Sequence, residues 1–310
     1  MGAILIGRYP QPGFLPVERL LSDTLAQRLV WELRVPRVLM AALLGATLGT
    51  AGLVLQMLFA NPLVEPGLIG VSQGAAFGAA AVIVFVGNRP LLLQLSAAVW
   101  ALAGLFVAYQ IARRLRFGGW ILRLVLSGIA VSALFSSAVG ILKYLADPLD
   151  QLPEITFWML GGLWNSSWHG VFRVAPATVL GITIVYLRRY RLNVLSLQDR
   201  ISFSLGARPD QERLALLVAA TVATAAVISQ AGIIGWVGLI VPHSARRLFR
   251  ADALVALPAA AMIGAIFTIS ADTAARSLVA GEIPLGVITS LVGAMVFIGL
   301  LLTHNIRLER

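Results

Sequence analysis

The most constraining feature of this sequence is the uncharged apolar run from Val38 to Phe59. At about 1.5 Å of rise per residue, it is long enough to cross a hydrocarbon core of about 30 Å. Asn61-Pro62 and Pro66-Gly67 interrupt it before apolar sequence resumes at Leu68, which is the pattern of a helical hairpin within a membrane. Gly45 and Gly49 in one arm, and Gly74 and Gly78 in the other, stand four residues apart. Small residues at that spacing let helix backbones approach closely where no hydrophobic effect drives helix onto helix.

The remainder of the 310 residues repeats this pattern. With 59% hydrophobic and 12% charged residues and a mean hydropathy of +0.88, the chain is excluded from the soluble globular class. Further spans are expected at Leu68–Val86, Leu91–Ala112, Leu122–Leu145, Val171–Leu187, Leu214–Ala231, Ile233–Val241, Ala253–Ala275 and Pro284–Thr303, about nine in all. Residues 1–37 form a polar lead with a short helix predicted over Val17–Leu33. The piece after Asp147-Pro148 is too broken by Gly161-Gly162 to cross, and Trp158, Trp164 and Trp168 place it at headgroup depth. Gly232, Gly235 and Gly238 recur every three residues and predict close packing of a short, kinked helix.

Charge and chemistry narrow the classes. The net charge of +10 reports membrane orientation rather than nucleic acid. Of 24 Lys and Arg residues, 15 fall on one side of the predicted spans, from Arg113 through Arg213, Arg246, Arg247 and Arg250 to Arg307 and Arg310, so that side is read as cytoplasmic. The chain has no Cys, and His169, His243 and His304 are scattered, so no metal site or thiol nucleophile is expected. His243, beside Arg246 and Arg247, is read as structural. No Walker A loop is present, and hence no catalytic residue for ATP hydrolysis. The acids Glu65, Asp272 and Glu282 stand at span ends, and Asp272 is expected to pair with Arg276 four residues on.

Five blocks, in order, carry a family resemblance. They are RVPR with GATLGTAGLVLQMLFANPLVEPGLIGVSQGAAFG, FWMLGG, AGIIGWVGLIVPHSARR, SADTAAR, and GEIPLGVITSLVGAMVFIGLL. The chain closely resembles the FecCD-type permeases, the membrane subunits of ABC importers for iron–siderophore complexes, haem and vitamin B12. The resemblance implies an all-α polytopic bundle like the vitamin B12 transporter permease, with ten helices and both ends in the cytoplasm. This sequence begins where the family's first helix should be ending. Residues 1–37 are thus expected as an external lead and 38–310 as the permease domain, in the cytoplasmic (inner) membrane as a multi-pass protein.

The resemblance further implies a homodimer, two ATP-binding cassette ATPase subunits that hold the ATP and Mg²⁺, and a periplasmic or lipid-anchored substrate-binding protein. No cofactor is expected in this chain. Arg34, Arg37 and Arg276 match positions that dock the binding protein, with anchoring in lipid headgroups as the alternative. The loop 188–213 matches the ATPase-coupling element, through Leu197, Asp199, Arg200, Leu205 and Gly206. Gly119 and Trp120 fall at the inner gate, and Ser132 and Ser136 on a path-lining helix, where serines can equally bond back to helix carbonyls. Gly45, Gly49, Gly74, Gly78, Gly235 and Gly238 are expected in helix packing. An ion-gradient-driven secondary transporter is the competing reading; it would need ionisable groups near the membrane midplane.

Overall fold

The computed structural model describes residues 2–9, 13–87, 89–279 and 281–303. Asn88, His304, Arg307 and Arg310 lie outside them. The lead begins with a helical turn α1 (Gly2–Leu5) and a small antiparallel pair, β1 (Ile6–Gly7) with β2 (Gly13–Phe14). Helix α2 (Val17–Ser22) follows. The Asp23 carboxylate then accepts from the Leu25 and Ala26 N–H groups and so starts α3 (Thr24–Arg28).

From here the structure corrects the expected boundary. Pro36 and two flanking arginines argue for a break before Val38, yet helix runs without interruption from Thr24 to Leu58, 35 residues in all. A π-helical turn (Leu29–Arg34) joins α3 to α4 (Val35–Leu58). In it the Val35 N–H donates to Val30 O, five residues back. The widened turn seats Pro36 near the start of α4, where its missing N–H is tolerated.

A 3₁₀ turn (Pro66–Ile69) and Gly70 at φ 87° lead into the short α5 (Val71–Phe85). Then come α6 (Pro90–Arg114), α7 (Trp120–Leu145), α8 (Gln151–Leu160), α9 (Trp168–Leu187) and α10 (Arg189–Leu195). They are followed by α11 (Asp199–Ser204), α12 (Pro209–Ala231), α13 (Val237–Phe249), α14 (Ala253–Ser277) and α15 (Leu285–Thr303). Among the described residues, six helical stretches are long and apolar enough to cross a membrane; α5 and the apolar part of α15 are shorter. The fold is an all-helical polytopic membrane bundle. Helix α8, with 10 residues, is too short to span, as its broken sequence implied.

Helix α13 is the second correction. The expected span is Ile233–Val241, but the helix starts at Val237 and continues to Phe249 with Pro242 inside it. A proline there frees carbonyls one turn back. The amide of Gln56, 2% exposed on α4, supplies the missing donor: its Nε2 lies 3.4 Å from Gly238 O and 3.2 Å from Leu239 O. Its Oε1 accepts from Arg246 Nη2.

Packing centres on α4, which meets α14, α12, α13 and α9, while α5, α6 and α7 form a second group joined to the first through α12. Glycine decides the closest approaches. A Cβ on Gly45 would fall on the Gly264 carbonyl of α14, and one on Gly49 would sit 2.8 Å from Val241 Cγ1. Gly74 and Gly78 lie against the α6 backbone at Trp100 and Ser96. Gly238 meets Pro66, with 2.7 Å left for a Cβ. Gly235 departs from expectation: it lies in the coil before α13, and a Cβ there would have nothing within 4 Å, so it is not a packing residue.

Candidate functional site

The three arginines flagged in the sequence converge, with most of their donors already engaged inside the protein. Arg34, 6% exposed, donates from Nη1 to Ile4 O (3.2 Å) and Leu5 O (3.3 Å). Arg276 donates to Ile6 O (2.6 Å) and to Ala3 O. Arg37 forks between two acids, with Nη2 at 2.9 Å from Asp272 Oδ1 and Nη1 at 2.9 Å from Glu282 Oε2. Asp272, 1% exposed, also faces Arg276 Nε at 3.7 Å, so the expected pair exists as one edge of a larger network. A cavity of about 430 Å³ opens beside them, lined by Arg8, Arg34, Arg37, Arg276 and Glu282. With Asp272, four guanidiniums against two carboxylates leave the mouth positive.

At the other end, the 188–213 loop is two helices rather than one. Helix α11 takes in Asp199 and Arg200 and leaves Leu197, Leu205 and Gly206 outside its ends. It is braced from behind by Arg213, 4% exposed, whose Nη2 donates to Asp199 Oδ1 (2.7 Å) and Leu195 O (3.3 Å). The Arg213 guanidinium in turn lies 5.7 Å from the Trp120 ring, and Trp120 packs on Phe59 at 5.8 Å. Trp120 therefore links the start of α7 to the segment around α11, while a Cβ at Gly119 would meet nothing within 4 Å. Gly206 ends the element at φ 77°. Leu197, Ile201, Phe203 and Leu205 are exposed, Phe203 to 71%. Arg200 is also exposed. Asn193 ties α10 to α14, donating to Asp252 Oδ1 at 2.6 Å and accepting from Ala253 N at 2.9 Å. The Leu254 N–H and then the Asn193 amide hold the Asp252 carboxyl below its ordinary range.

Ser132 and Ser136 share a helix but not an environment. Ser136 is exposed, whereas Ser132 is half-buried and lines a cavity of about 370 Å³ with Glu65, Ser72, Gln73 and Gly235. Glu65 Oε2 accepts from the Trp236 N–H (3.3 Å), which holds Trp236 at φ 70° ahead of α13. Sequence reasoning missed Gln56 and Phe203. Gln56 was visible as a lone amide in an apolar span. Phe203 was visible as an aromatic residue between two serines in a polar loop.

Comparison with known proteins shows the family of the chain. The family model described as the FecCD transport family matches residues 2–303. The chain is similar to the hemin transport system permease protein HmuU of Yersinia pestis, 40% identical over 282 residues that cover 89% of this chain and 84% of that one. It is also similar to the molybdate import system permease protein MolB of Haemophilus influenzae, 34% identical over 299 residues, covering 94% and 88%. Among solved structures, one described as an inward-facing conformation of a "putative metal-chelate type ABC transporter" superposes with a TM-score of 0.90 at 34% identity, covering 97% of this chain and 94% of that one.

Proposed function

This chain belongs to the FecCD transport family, and from that premise we propose that it carries a metal chelate of the iron–siderophore, haem or cobalamin class inward as the permease of an ABC importer. It is not itself an enzyme; the ATP and Mg²⁺ are held by a partner ATPase. The observation that carries the reading is the likeness to a metal-chelate transporter over 97% of the chain. Relatives named for haem and for molybdate are similar to it to comparable degrees, which supports a permissive path with selection in the binding protein.

Two copies form the path between them. Support comes from the exposed apolar faces of α7 (Leu126, Ile129, Leu134, Ile141) and α15 (Val287, Leu291, Met295, Ile298). Alternating access then shifts the pair between outward- and inward-open states as nucleotide binds. The face Leu197, Ile201, Phe203 and Leu205 seats in the ATPase, and Arg213 carries its movement to Trp120 and α7. Affinity purification of the tagged chain from mild detergent tests both contacts. An untagged second copy and a Walker-motif ATPase are expected in equal amounts with it. Phe203→Asp, which buries a charge in the contact, is expected to cut ATPase recovery at least about tenfold. An ATPase-free complex, with uptake that collapses with an uncoupler, would establish the secondary transporter instead.

The arginine mouth receives the acidic face of the binding protein, and its net positive charge steers encounter. Reversing Arg34 or Arg276 would also release residues 3–6, so Arg8 is the cleaner probe. It is exposed and makes one long bond, 3.4 Å, to Ser277 O. Arg8→Glu is expected to slow association with the binding protein about tenfold at low salt, with little effect at high salt. An unchanged rate at both salt concentrations would show that the mouth plays no part in docking.

A further inference from the structure

A third cavity, of about 580 Å³, belongs to neither the arginine mouth nor the Glu65 cavity. Three apolar spans end at it: α6 begins at Pro90, α9 begins at Trp168 and α12 ends at Ala231, and Pro90 and Ala231 both line it. A pocket at the common end of three spans lies where hydrocarbon gives way to headgroups. Its aromatic residues suit that depth, with Phe157 and Trp164 edge-to-face at 6.5 Å and Trp158 beside them.

The polar lining is of two kinds. Arg173 is exposed, forms no ion pair within 4.0 Å among the described residues, and makes one long bond, 3.4 Å, to Gln94 Oε1. Glu154 likewise has no cationic partner; burial, and then the neighbouring Asp150, push its carboxyl above the ordinary value, a situation that a bound cation relieves. Gln230 donates from Nε2 to Asn165 O at 3.3 Å, which fixes the amide and leaves Oε1 buried without a donor among the described residues. An unmet buried acceptor is costly, and a donor brought by a ligand relieves it. The site thus offers a guanidinium for a phosphate, and a carboxylate, an amide oxygen and two indole faces for an ammonium with N–H groups.

We propose that this cavity binds a phosphate–ammonium zwitterion with a primary amine, the chemistry of a phosphatidylethanolamine headgroup or of free phosphoethanolamine. A choline head keeps the cation–π contact but has no N–H for Glu154 and Gln230. A glycerol head lacks the cation. The inference requires only that the chain spans a membrane, and it survives if the importer reading fails.

Native mass spectrometry of the delipidated full chain, given phosphatidylethanolamine, phosphatidylcholine and phosphatidylglycerol with matched acyl chains, tests the proposal. The ethanolamine lipid is expected to be retained roughly tenfold over either other lipid, the worth of one or two charge-assisted hydrogen bonds. Gln230→Leu is expected to reduce that preference to less than about twofold, whereas Arg173→Ala, at an exposed position, removes the phosphate contact common to the three lipids and is expected to lower retention of all of them. Free phosphoethanolamine is titrated into the same lipid-free protein by thermal shift. Stabilisation there without lipid preference identifies a soluble zwitterion as the source. Equal retention of all three lipids with no thermal shift, or a preference unchanged in Gln230→Leu together with retention unchanged in Arg173→Ala, would overturn the proposal.

Discussion

Gly45→Leu is expected to abolish the folded bundle. The Cβ alone would fall on the Gly264 carbonyl and on Thr268 Oγ1, and the obstacle on the α14 side is backbone, which cannot rotate away. Overpacking commonly costs about 1–3 kcal/mol, and occasionally more where neighbours cannot yield; this contact belongs at or beyond the upper end. In lipid the loss is compounded, because close approach along α4 and α14 is itself what holds the pair together. Size-exclusion chromatography after mild detergent extraction should show aggregate in place of a single peak. Gly235→Ala is the control: its Cβ meets nothing within 4 Å, and its melting temperature should match that of the unsubstituted chain within the equivalent of about 0.5 kcal/mol. Equal behaviour of the two variants would mean that glycine contacts do not set the packing.

Asp272→Ala is expected to be nearly as damaging by an electrostatic route. The carboxylate is 1% exposed between Arg37, 13% exposed, and Arg276, 8% exposed. Its removal leaves two guanidiniums facing each other with Glu282 alone in compensation. Breaking a buried pair by removing one partner costs about 3–5 kcal/mol, most of it from the charge left behind. The double variant Arg37→Ala/Asp272→Ala removes one of the two stranded guanidiniums and their mutual repulsion, so it should be less destabilised than the sum of the single changes. A double-mutant cycle on thermal unfolding in detergent measures the difference. Strict additivity would show that the Arg37–Asp272 contact contributes nothing.

The sequence revealed what depends on local composition. Long uncharged runs located α6, α7, α9, α12 and α14 to within a few residues, and the broken stretch after Asp147 was legible as non-spanning. Boundaries failed where a distant or unusual hydrogen bond overrode a local signal. Pro36 reads as a stop, but the π turn over Leu29–Arg34 absorbs it. Pro242 reads as a stop too, but Gln56, far away in sequence, takes up the carbonyls it frees. At the candidate sites, the motif positions identified which arginines to examine. That residues 3–6 would occupy two of them depends on backbone carbonyls, which carry no mark in a sequence. Leu197, Asp199, Arg200, Leu205 and Gly206 were legible as one segment, whereas the bracing of α11 by Arg213 required α12 to fold back beside it.

The uninterrupted helix from Thr24 to Leu58 has a geometric consequence. Thirty-five residues at about 1.5 Å each make a rod of roughly 52 Å, and even at a tilt of about 40° it covers roughly 40 Å of depth. A hydrocarbon layer of about 30 Å cannot contain it. At least about 10 Å, and near 20 Å when the rod is upright, must stand clear as a mast, with the small Leu15–Ala26–Val30 cluster fastened near its free end. With no break in the helix along its length, a sideways push on the mast arrives inside the membrane as torque on α4, the element against which α9, α12, α13 and α14 all rest.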